Sequence, residues 1–352
     1  MENFELVKNF IENANGFYDD LKSNKYDAKH HEIVTKAYEE MENDEKSFSA
    51  NFRSWAMQSD LTVPMQLKSY SIAKYGTINF TTKYLYRKIF QQKEEAEIRN
   101  SFVDDINILK HIGALKILRE NPVHLTPGNP EAFFVEKTSI NYRWLRYIYM
   151  THRIIEEQLL ENEDTWVDVG SYYGGFQGIV KKYFPKVKFV LVDFHHQLCR
   201  SYVYLSNLYP SSLHVLPNDL STLDTLENLP PNSFTYLPVS QFKKFANNNV
   251  QFSSNIFSLG EMTRISCMEY LNSNIFLNAK NVLLINRYKS SPFFEKTYES
   301  DVSIIDYLKN NRNIKYFDVF PMGHFMLDIR EIFGKRRARN TSSSYFELIT
   351  TL

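Results

Sequence analysis

Thr165-Trp166-Val167-Asp168-Val169-Gly170-Ser171-Tyr172-Tyr173-Gly174-Gly175-Phe176-Gln177-Gly178 reads as a short buried strand that ends in an acid, turns on glycine and enters an amphipathic helix. Glycine at such a turn lets backbone N–H groups approach a ligand, because no Cβ intervenes and positive φ angles are cheap. Gly170, Gly174 and Gly175 supply that freedom. The dinucleotide fingerprint would need its middle glycine where Tyr172 stands, which argues against a dinucleotide oxidoreductase. Asp168 precedes the first glycine by two positions, where an acid can meet ammonium or hydroxyl groups.

The next strand carries a second acid. Lys188-Phe189-Val190-Leu191-Val192-Asp193 is an apolar run closing on a carboxylate, and an acid at that strand end can accept both hydroxyls of a ribose. The two acids together specify a nucleoside-type site far better than a glycine cluster alone.

Outward from this pair, strands and helices alternate to the end of the chain. Strands are expected at about 165–169, 189–193, 234–238, 250–255 and 281–286, with helices at 174–184, 197–208 and 304–310. Segments 314–320 and 344–350 suit a closing antiparallel pair. This pattern predicts an α/β, Rossmann-like, doubly wound sheet of seven strands, with its ligand at the carboxyl ends of the strands. Whether Leu213 to Leu216 joins the sheet is left open. The first 130 residues read as a mainly helical region, including 82–90 and 101–119, and the cluster Pro122, Pro127, Gly128 and Pro130 marks a boundary. The expected domains are therefore 1–130 and 131–352.

Composition narrows the partners. Forty-one basic residues balance forty-one acidic ones in the 352-residue chain, so no global field recruits nucleic acid or an anionic membrane. Hydrophobic residues at 43% and charged ones at 23% suit a folded globular protein. The two cysteines, Cys199 and Cys267, lack metal-ligand spacing, so no metal is expected and a reducing cytoplasm is the default location. No signal peptide and no apolar run of membrane-spanning length is visible. A homo-oligomer is compatible with all of this.

Acid-x-Gly-x-x-x-Gly followed by the second acid resembles the first motifs of class I S-adenosylmethionine-dependent methyltransferases. Further segments resemble a bacterial sugar O-methyltransferase family: Asn141-Tyr142-Arg143, Val192-Asp193, Tyr202 to Pro210, Tyr236-Leu237-Pro238, Ser258-Leu259-Gly260-Glu261-Met262 and Leu284-Ile285-Asn286-Arg287. The resemblance covers about 139–289. It implies S-adenosyl-L-methionine as cofactor and a small-molecule or glycan acceptor, a sugar that is free, nucleotide-linked or polymeric, as in surface polysaccharide or glycosylated metabolite synthesis. Asp168, Gly170, Ser171, Tyr172, Gly174, Asp193 and Phe194 would hold the cofactor. The resemblance favours Ser240 and Gln241 for adenine over Asp219, which otherwise caps its own turn. His195, Asn286 and Arg287 would meet the acceptor.

A sugar hydroxyl is a poor nucleophile at neutral pH and needs a positioned base or a metal. Glu261, just beyond the fourth strand, and His324, in the loop Pro321-Met322-Gly323-His324-Phe325, are the candidate catalytic residues. Glu261 has a competing reading, since Ser258 three residues earlier would make a capping box with it. His324 has one too, as an exposed loop histidine, and one of His195 and His196 is expected to face solvent. The run Lys335-Arg336-Arg337-Ala338-Arg339 reads as a solvated loop. A non-catalytic scaffold of the same fold in glycan assembly is the remaining alternative, kept by Tyr172 in the glycine position.

Overall fold

The computed structural model describes residues 3–22, 35, 39, 102–127, 133–135, 138–290, 302–308, 312–322, 327–332, 335–340 and 345–352. The chain forms two compact units, one of residues 1–56, 153–320 and 344–352, the other of 57–152 and 321–343. This division does not run at residue 130. The first 56 residues belong to the larger unit.

The larger unit is built on one sheet. Its strands are β1 (Thr165–Val169), β2 (Lys188–Asp193), β3 (Leu213–Val215), β4 (Ser233–Pro238), β5 (Phe252–Ile256), β6 (Asn281–Arg287), β7 (Asn313–Val319) and β8 (Tyr345–Thr351). They lie in the order β7-β8-β6-β5-β1-β2-β4-β3. The pairings from β6 through β3 are parallel, and β8 runs antiparallel to both of its neighbours. The seven expected strands are all present, and the fold is the expected Rossmann-like, mostly parallel α/β sheet. Leu213–Val215 adds an eighth strand at the edge.

Burial on both faces explains the continuous apolar runs. On one face Val167, Val169, Val190 and Val192 meet Phe242, Phe245, Tyr270 and Leu271. On the other, Trp166 packs edge-on against Phe176, 5.2 Å between ring centres. Phe176 lies in α3 (Gly175–Lys181), and α4 (His195–Leu208) covers the same side. Alternation along β1 therefore puts Asp168, like Trp166, on the face beneath α3.

The N-terminal helix α1 (Asn3–Glu12) also belongs to this unit. Phe10 and Phe17 are buried, Phe10 lies against Tyr202 and Tyr236, and Asn9 donates to the Tyr202 hydroxyl at 2.7 Å.

In the smaller unit, residues 102–111 and Leu115–Glu120 are helical, broken at Gly113. A further helix, α2 (Tyr142–Glu156), of which residues 142–152 belong here, buries Trp144, whose indole N–H donates to the Asn121 carbonyl at 2.6 Å. The basic run 335–339 is not a loop: Lys335–Asn340 pairs antiparallel with Leu327–Ile332. Expected elements between 51 and 100, and His324, lie outside the described residues. Among the described residues, no helix is long and apolar enough to cross a membrane.

Candidate functional site

In a doubly wound sheet the ligand crevice opens where successive connections leave a strand in opposite directions. Here that point is the carboxyl end of β1, with β2 on one side and β5 on the other. The backbone is unusual at this place. Gly170, Tyr172 and Gly174 have φ of 78°, 55° and 84°, and Phe257, directly after β5, has φ of 68°. Left-handed non-glycine residues are rare and concentrate at functional turns.

Glycine at 170 is dictated by its neighbours. A Cβ there would collide with the Ser258 side chain. Ser258 is held by Asn255, whose Nδ2 donates to Ser258 Oγ and to the Val169 carbonyl, both at 2.6 Å. Asn286 Nδ2 donates to Asn255 Oδ1 at 3.0 Å, and the Gly260 N–H donates to Asn286 Oδ1 at 3.4 Å. Asn286 is fully buried and ties the ends of β5 and β6 together. The role expected for it, contact with an acceptor, finds no open face on this side chain.

The two acids differ in what they hold. Asp168 is buried, with Ser254 of β5 donating to Oδ1 and Gln177 of α3 donating to Oδ2. Asp193 takes backbone donors: the Tyr172 N–H on Oδ2 at 2.9 Å and the Phe194 N–H on Oδ1 at 2.8 Å. The glycine turn leans the same way, since the Gly170 N–H donates to the Val192 carbonyl at 2.7 Å. Burial pushes both carboxyls up to about 7, and the charge of Asp193 contributes to the rise at Asp168. Hydrogen bonds from Ser254 and Gln177 oppose the rise at Asp168, and those from Phe194 and Tyr172 oppose it at Asp193.

Around this centre the remaining candidates fall into place unequally. Ser171 is 5% exposed and its hydroxyl has no hydrogen-bond partner among the described residues. Phe194 is buried, its ring stacked on His196 at 5.8 Å. His195 and His196 are both buried, which corrects the expectation that one of them faces solvent. They open α4, where its first turn turns inward. Ser240 is exposed and Gln241 half-buried, just past the β4 tip, where the Val239 N–H donates to the Asp193 carbonyl at 3.1 Å. Asp219 accepts the Leu216 N–H at 2.9 Å and so caps its own turn.

Glu261 ends a 3-10 turn, Leu259–Glu261, and is half-buried. The capping box with Ser258 does not form, because Ser258 Oγ is turned back to Asn255 and Val169. The following helix, α5 (Arg264–Leu271), is capped by Thr263, which accepts the Ser266 N–H at 3.3 Å. Arg287, at the end of β6, donates to the Tyr345 hydroxyl at 3.1 Å and lies over that ring. Among the described residues, no three potential ligands gather for a metal ion.

A nucleoside with a cationic tail fits these features. Two desolvated carboxyls are ionised more readily beside a positive charge. Each Asp193 oxygen takes one N–H from the protein, and a carboxylate oxygen can accept more than one. The unpartnered Ser171 hydroxyl is a further donor and acceptor at the same turn.

No known family model and no curated protein matches the chain. Solved structures align with 57–60% of it at low similarity. They include the mitomycin 7-O-methyltransferase MmcR (11% identity, TM-score 0.33, 60% of this chain and 57% of that one) and a SAM-dependent methyltransferase from Aquifex aeolicus (16%, 0.32, 57% and 88%). A third is the geranyl diphosphate C-methyltransferase from Streptomyces coelicolor A3(2), solved with S-adenosyl-L-homocysteine (12%, 0.37, 59% and 80%). The chain spans little more than half of the mitomycin enzyme, and likeness at this level assigns no activity.

Proposed function

We propose that the chain is an S-adenosylmethionine-dependent O-methyltransferase whose acceptor is a sugar hydroxyl. One observation carries the reading: at adjoining strand tips, two desolvated carboxyls border the same left-handed turn, one of them accepting its backbone N–H. That arrangement attracts a ligand bearing both ribose hydroxyls and positive charge. Asp193 would accept the ribose hydroxyls, with Ser171, Tyr172 and Phe194 lining the approach and Ser240 and Gln241 at the adenine end. Asp168 would act from beneath, holding α3 and adding negative potential.

Methyl transfer from a sulfonium is an in-line displacement, so holding the two reacting atoms close and collinear supplies much of the acceleration. The acceptor hydroxyl still requires a base. Glu261, half-buried in the turn directly beyond β5, is assigned that role. Arg287 is assigned to the acceptor side, and His324, which lies outside the described residues, is kept as the second candidate catalytic residue.

Calorimetry with S-adenosylhomocysteine tests the donor half: micromolar binding supports it, and no binding at millimolar ligand favours a non-catalytic scaffold. Labelled S-adenosylmethionine, incubated with the protein and glycan extract from cells lacking it, tests the acceptor half through the mass of the labelled product. Unchanged turnover in both Glu261→Gln and His324→Ala would remove the two catalytic assignments.

A further inference from the structure

The N-terminal segment brings a carboxylate to the crevice from far away in the chain. Asp20, in the 3-10 turn Asp19–Lys22, accepts the backbone N–H of His195 on Oδ2 at 2.5 Å. The same oxygen lies 2.7 Å from His195 Nδ1. One oxygen thus sets both the position of the first residue of α4 and the orientation of its ring. With Nδ1–H donated to Asp20, the neutral imidazole carries its lone pair on Nε2. Phe17 packs against the ring at 5.7 Å between centres.

The far nitrogen is the informative atom. His195 is 1% exposed, Asp20 is 2% exposed, and Nε2 is buried without a hydrogen-bond partner among the described residues. Leaving such an acceptor unmet is costly, and folded proteins keep few of them without a ligand or water. Ser171 Oγ, at the neighbouring strand tip, is in the same condition. Asp193 connects the two places: it accepts the N–H of Tyr172, next to Ser171, and precedes His195 by two residues.

We propose that Asp20 and His195 form a receptor for a ligand hydroxyl, which donates to His195 Nε2 while Asp20 holds the ring as a positioning residue. The proposal rests on the reading of this crevice as a methyl-donor and sugar site. The hydroxyl has two sources in that reading, the ribose of the donor or the sugar acceptor. Either way, the N-terminal segment is part of the site.

The test is 15N NMR of the full chain labelled at histidine, alone and with S-adenosylhomocysteine, combined with calorimetry on His195→Gln and Asp20→Asn. The expected result is an Nδ1–H tautomer for His195 that Asp20→Asn releases. A ribose source gives an Nε2 shift on adding S-adenosylhomocysteine and a loss of affinity of about tenfold in His195→Gln. A sugar source leaves both unchanged and instead raises the acceptor KM about tenfold in the labelled-donor assay, also without loss of S-adenosylhomocysteine affinity in Asp20→Asn. An Nε2–H tautomer in the wild type, or no change in any of these readouts, overturns the proposal. Failure of the wild-type chain to bind S-adenosylhomocysteine strikes the methyl-donor reading instead, and the tautomer still decides the Asp20–His195 pairing.

Discussion

Asp168 and Asp193 are the same residue type at successive strand ends of one unit, raised to the same range, yet their surroundings differ. Asp168 faces α3, and its partners are side chains, Ser254 and Gln177. Asp193 stands at the strand end, half-buried, and its partners are two backbone N–H groups of the turns above it. A carboxylate satisfied by side chains of the sheet and helix holds those elements together. One satisfied by loop backbone at a partly open tip orders the loop and keeps acceptor capacity for a ligand.

The sharpest way to break this comparison is to neutralise each acid in turn. Asp193→Asn should weaken S-adenosylhomocysteine binding about 100-fold, since hydrogen bonds to a charged acceptor contribute roughly 1.5–3 kcal/mol each. Asp168→Asn should weaken it by less than about tenfold, since it acts from beneath by charge alone. Calorimetry on the two variants checks both. Equal losses would mean that both carboxylates touch the ligand, and the distinction would fall.

Gly170 sits between the two acids and tests whether the turn geometry is set by packing. Gly170→Ala meets a left-handed φ and the Ser258 side chain. A left-handed alanine costs about 1–2 kcal/mol, and overpacking adds about 1–3 kcal/mol. Urea unfolding should show a loss of that order, and adding Ser258→Gly should recover the overpacking share alone. Full recovery would mean that the φ of 78° carries no strain.

Local periodicity made much of this legible. Strand Thr165–Val169 stands where its residues place it, because a run buried on both faces bounded by a charge and a glycine has few other readings. The helix after Asp193 starts at His195 rather than near Gln197, since the Asp20 carboxylate caps it, and no window around residue 195 contains Asp20. The Leu213–Val215 strand was ambiguous because three residues at a sheet edge, Leu213 exposed and His214 and Val215 half-buried, are too few to show a period. Of the candidate site, the backbone part was legible, since the turn glycines and the two acids do stand together at adjoining strand ends. Its side-chain network was not: Asn255 and Ser254 look like ordinary strand polar residues until register places Ser254 opposite Asp168 and Asn255 opposite Val169. Positive φ at Phe257 has no signal in the sequence at all.

A third way to sharpen the comparison is the pH dependence of folding. Each carboxyl titrates near 7 when folded and near about 4 when unfolded. Between those values the folded chain holds more protons, so their contribution makes stability fall as pH rises from 4 to 7, and the penalty is complete above 7. Asp168→Asn should reduce that fall by about half, in thermal or urea unfolding at pH 5 and pH 8, because one of two groups no longer titrates. An unchanged slope would mean that Asp168 is ionised throughout, and that its bonds to Ser254 and Gln177 outweigh its burial.

The smallest effect separates the acids through the ligand's charge. S-adenosylmethionine carries a sulfonium that S-adenosylhomocysteine lacks, so its binding should ionise carboxyls that are partly protonated near pH 7 and release protons. Calorimetry in two buffers of different ionisation enthalpy should show release of up to about one proton for the methyl donor near pH 7 and less for the thioether. The affinity for the donor should rise roughly tenfold between pH 6 and pH 8 and then level. If the carboxyl that releases its proton is the one beneath the turn, Asp168→Asn abolishes the release and Asp193→Asn does not. The reverse result would put the sulfonium nearer to Asp193, exchange the electrostatic roles assigned to the two acids, and leave Asp168 with only the task of pinning α3 to β5.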